Sequence, residues 1–146
     1  MANIATITLR SAVTTQALAT MGVDPEWDRL LTKYLATEAL LFADEQFGEL
    51  NNAGDKYALE EIRNPEPSPR LSKAFDELDD AQAAWSKRYC EPFWKAGRQL
   101  AKYPAPTLAA ALFKVAAIGQ HEIWNDSDLI GDCMQIVTED MARLAA

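Results

Sequence analysis

Residues 68–103 read SPRLSKAFDELDDAQAAWSKRYCEPFWKAGRQLAKY. Leu71, Phe75, Leu78, Trp85, Tyr89, Phe93, Ala96, Leu100 and Tyr103 recur by threes and fours, with Gln82 the polar member of the series. That is the repeat of one face of an α-helix, whereas a strand brings every second residue to one side. Held straight, the helix would be about 50 Å long. Ser68 before Pro69 reads as an N-cap followed by a first-turn proline, whose missing N–H has no helical partner to lose. Pro92 lies in the interior, where it removes a ladder hydrogen bond, so a kink or split is expected there.

The same period continues on either side. Asp24 and Pro25 repeat the cap-plus-proline signal, and Trp27, Leu30, Leu31, Tyr34, Leu35, Leu41 and Phe42 predict a helix reaching about Leu50. The run Asn51-Asn52-Ala53-Gly54-Asp55 reads as its end, and Asn64 to Ser68 as a linker. After a break at Tyr103 to Thr107, the segment Thr107 to Ile118 is almost wholly apolar, suits a central position and is expected to stop at Gly119. From Asp126 onward, Ile130, Cys133, Met134, Val137, Met141 and Leu144 make one more helical face. The alternation from Ile4 to Leu9 is too short to found a sheet. The sequence therefore predicts an all-α fold, an antiparallel bundle of about four main helices in a single domain over 1–146. Residues 1–22 form an extra N-terminal helix or arm in this reading.

Charge narrows the partners. The 146 residues carry a net charge of −8, which disfavours direct nucleic-acid binding, because phosphate is met by Lys and Arg. The imbalance is uneven: residues 24–66 carry −7, residues 67–103 carry +2 and residues 104–146 carry −4. The simplest expectation is that the basic stretch of Lys87, Arg88, Lys95, Arg98 and Lys102 complements the acidic helix within the fold. A sharper alternative is an acidic mobile-element inhibitor, which mimics nucleic acid with residues 24–66 and 126–140 and blocks a host nucleic-acid-binding protein. No apolar stretch is long enough to span a membrane. Thr6, Thr8, Arg10, Ser11, Thr14 and Thr15 break the apolar run that an export signal requires, so a cytoplasmic location is expected. Cys90 and Cys133 lie far apart, without Cys-x-x-Cys or histidine spacing, and read as small buried apolar residues rather than zinc ligands.

Candidate chemistry is sparse. His121 is the single histidine; with Glu122, Asp126 and Asp128 it could hold a metal or act as a base, but it lacks the second histidine four residues on that a zinc protease helix carries. Glu38 and Glu45 share a helical track, without the Glu-x-x-His partners of a di-iron bundle. No nucleophile motif, phosphate loop or dinucleotide fingerprint is present, so neither enzymatic activity nor a cofactor is expected. A metal-dependent enzyme using His121 remains the minor alternative. Trp94 is more suggestive. It lies off the main apolar stripe, on a second line with Ala83, Cys90, Gly97 and Ala101, and Arg98 stands beside it. A helix with two apolar faces must be covered twice, either by residues 9–21 or by a second chain, for which Trp94 would be the anchor. The resulting expectation is a non-enzymatic helical interaction or regulatory protein whose contact surface includes Cys90, Trp94, Gly97, Arg98 and Ala101. It would act through a protein partner or as a homodimer.

The segment Pro104-Ala105-Pro106-Thr107-Leu108-Ala109-Ala110-Ala111-Leu112-Phe113-Lys114-Val115-Ala116-Ala117 resembles a turn-plus-helix of small helical proteins from alphaproteobacterial genomes and their prophages. The likeness spans roughly residues 68–146, and Tyr89 to Trp94 is not part of it. It implies a helical fold and a bacterial or phage setting, and it carries no activity or catalytic residue.

Overall fold

The carboxylate of Asp24 starts the first long helix as its spacing predicts: Oδ1 accepts the backbone N–H groups of Glu26 at 2.8 Å and Trp27 at 3.1 Å. The computed structural model describes residues 15–43, 46–63, 69–121 and 130–146. Among these, every regular element is helical. After a helical turn at 15–18 come α1 (Pro25–Ala43), α2 (Gln46–Arg63), α3 (Pro69–Trp85), α4 (Glu91–Lys102), α5 (Leu108–His121) and α6 (Ile130–Ala145). The molecule is an all-α protein of packed helices, and its contacts gather into two compact units: Met1–Ala36 with Trp94–Ala146, and Thr37–Phe93.

Among the described residues, most of the buried side chains belong to the discontinuous first unit. Trp27, Leu30, Leu31 and Tyr34 of α1, Ala96, Leu100 and Ala101 of α4, Ala110, Ala111, Phe113, Ala117 and Ile118 of α5, and Cys133 and Val137 of α6 are buried. Tyr34 meets Phe113 edge to face, with ring centroids 6.2 Å apart. α1 runs antiparallel to α4, because Lys33 donates to Gln99 at 2.9 Å while Tyr103 donates its O–H to Asp24 at 2.9 Å. Before α1 the chain turns at Gly22, whose φ of 88° is one that a side chain resists. The Gly22 N–H bonds both carboxylate oxygens of Asp28. The Trp27 indole N–H donates to Thr20, whose hydroxyl donates to the Ala17 carbonyl. Of residues 9–21, only 15–21 fall among those described, and there Ala17 and Thr20 are fully buried.

The second unit contains α2 and α3. α2 and α3 run antiparallel, with Tyr57 against Phe75 at 5.3 Å between centroids and Gly54 beside Gln82. The expected end at Asn51 to Asp55 is corrected: α2 passes straight through it. Gly54 stays helical because it faces α3, where a Cβ would come to 3.5 Å from the Gln82 amide, so packing overrides the local loop signal. Gly119 likewise fails to stop α5, which continues to His121.

The kink expected at Pro92 takes a specific form. Between α3 and α4 the helix widens into a π-turn over Ser86–Cys90, and Glu91 donates its N–H to the Ser86 carbonyl. Proline at 92 can offer no bond to the turn below it, and the widened turn absorbs that missing donor.

Candidate interaction surface

The apolar stripes assigned from sequence are only partly inward. On α6, Cys133 and Val137 are buried, but Met134 is 62% exposed. α5 departs further from the central position expected for it. It buries Ala110, Ala111, Phe113, Lys114, Ala117 and Ile118, and it exposes Leu108, Leu112 and Val115 by 53%, 50% and 46%. A helix that hides its one charged residue and shows its leucines reverses the usual arrangement.

Ion pairing explains how the lysine can be inside. The break between α4 and α5 brings the backbone of Ala105 into the core, where its polar groups require partners. Asp140 of α6 accepts the Ala105 N–H at 3.0 Å and Lys114 Nζ at 2.6 Å, while Lys114 also donates to the Tyr103 carbonyl. Arg143 donates to the Ala105 carbonyl and to Asp140. The Lys114 ammonium lies 5.9 Å from the centre of the Trp27 ring, a cation–π approach. Burial pushes the Lys114 pKa down, against the pull of Asp140. Burial raises that of Asp140, but hydrogen bonds from Lys114, Ala105 and Arg143 outweigh it and hold the carboxyl below its ordinary value. The middle of α5 is thereby tied, through Lys114, to the chain that leads into the helix and to α6. Thr107 completes the start, accepting the Ala110 N–H through its hydroxyl at 3.1 Å.

The residues singled out from sequence fall in different places. Gly97 and Ala101 are buried, lining a narrow recess with Tyr34, Leu100, Lys114, Ala117 and Ile118. Their small size leaves room for Tyr34 of α1 and for Lys114, Ala117 and Ile118 of α5 around this recess, so these two residues are covered from within the chain. Cys90, Trp94 and Arg98 are half-buried. Burial raises the thiol pKa of Cys90, against a hydrogen bond from Ser86, and raises that of Cys133. Neither is a ready nucleophile. His121 is the last residue of α5, while Glu122, Asp126 and Asp128 lie outside the described residues, as does Glu45. Among the described residues, no three His, Cys, Asp or Glu side chains gather as a metal site, and no helix is long and apolar enough to cross a membrane.

The sequence held a signal for the Lys114–Asp140 pair that periodicity alone passes over. Lys114 is the single charge inside an apolar helix, and Asp140 falls three residues after Val137 on the buried track of α6. No family model matches this chain, and neither a curated protein nor a solved structure is detectably similar to it.

Proposed function

We propose that this protein acts by contact rather than chemistry, as a non-enzymatic helical interaction protein whose principal contact surface is the outer face of α5. The exposure of Leu108, Leu112 and Val115 on a helix whose only charge is buried carries this reading. Their spacing of four and three residues puts them on one narrow stripe, and a contiguous exposed apolar patch on a folded protein marks an interaction site. The Lys114–Asp140–Arg143 network supports it by fixing the helix beneath the patch, and preorganisation of this kind lowers the entropic cost of association. The same network supports the non-enzymatic reading, because Lys114 and Asp140 are engaged with each other and with backbone groups of the α4–α5 break.

The test is parallel capture from a bacterial extract on immobilised wild-type chain and on the Leu112→Glu/Val115→Glu variant, with far-ultraviolet circular dichroism to show that both are folded. A protein held by the wild type and released by the variant is the expected result. Identical capture by both would overturn the assignment of the surface.

A further inference from the structure

We draw no further inference here: the strongest candidate, the cationic outer face of α4 formed by Lys95, Arg98 and Lys102, carries nothing, because a charged helix face suits water and any anionic partner alike and nothing in the structure shows what covers it.

Discussion

Asp140 shows how much can depend on one carboxylate. It neutralises Lys114, accepts the Ala105 N–H and holds Arg143, all from a side chain that is 5% exposed. Asp140→Ala leaves a buried ammonium without its counter-charge and should cost about 3–5 kcal/mol in denaturant unfolding. Replacing both partners, as in Lys114→Met with Asp140→Leu, removes the charges together and should cost clearly less, although the Ala105 and Tyr103 backbone groups then lose their partners. The pH dependence has a definite sign. The folded pKa of Asp140 is lowered, so its stabilisation is present above the unfolded value of about 3.9 and is lost as pH falls through the folded value. The stability difference between wild type and Asp140→Asn should therefore shrink on acidification below about pH 4. A difference that grows under acid would contradict this account.

At the scale of elements, helix starts were more legible than helix ends. Asp24-Pro25 and Ser68-Pro69 carry local chemistry that a start requires, and α1 and α3 begin at Pro25 and Pro69. Ends signalled by Gly54 and Gly119 failed: Gly54 is held in α2 by its packing against Gln82 of α3, whereas α5 passes the exposed Gly119 by only two residues. Gly54 therefore offers a clean measurement. Its absent Cβ would meet the Gln82 amide at 3.5 Å, an ordinary van der Waals contact, and the residue is inside a helix. Gly54→Ala should raise stability by about 0.5–1 kcal/mol through helix propensity, seen as a higher thermal midpoint. The division of α5 into a buried and an exposed face was invisible to periodicity for another reason. With Leu, Ala, Phe and Val on nearly every side, its composition does not say which stripe faces inward, and the polar contacts of Lys114 inside the core are what single one side out.

For the whole molecule, the fold class follows from the period of its side chains, while the charge distribution separates two kinds of association. An acidic protein that engages a basic partner through its carboxylates should lose affinity steeply as salt rises. Association through the uncharged face of α5 should not weaken as salt rises, because no attractive ion pair is there to be screened and repulsion between acidic surfaces is. Titrating sodium chloride during sedimentation or capture distinguishes the two. Steep loss of binding would shift the contact to the acidic surface of residues 24–66, one of the alternatives that charge alone admits.

The first compact unit is built from two stretches of chain with the second unit inserted between them. Asp24 waits 79 residues for the phenol of Tyr103, and Lys114 a further 26 for Asp140. On the ribosome, Trp27 and its apolar neighbours are therefore made long before the helices that cover them. The inserted hairpin can assemble while its host is still unfinished, and the apolar face of α1 waits uncovered until α4 and α5 have been made.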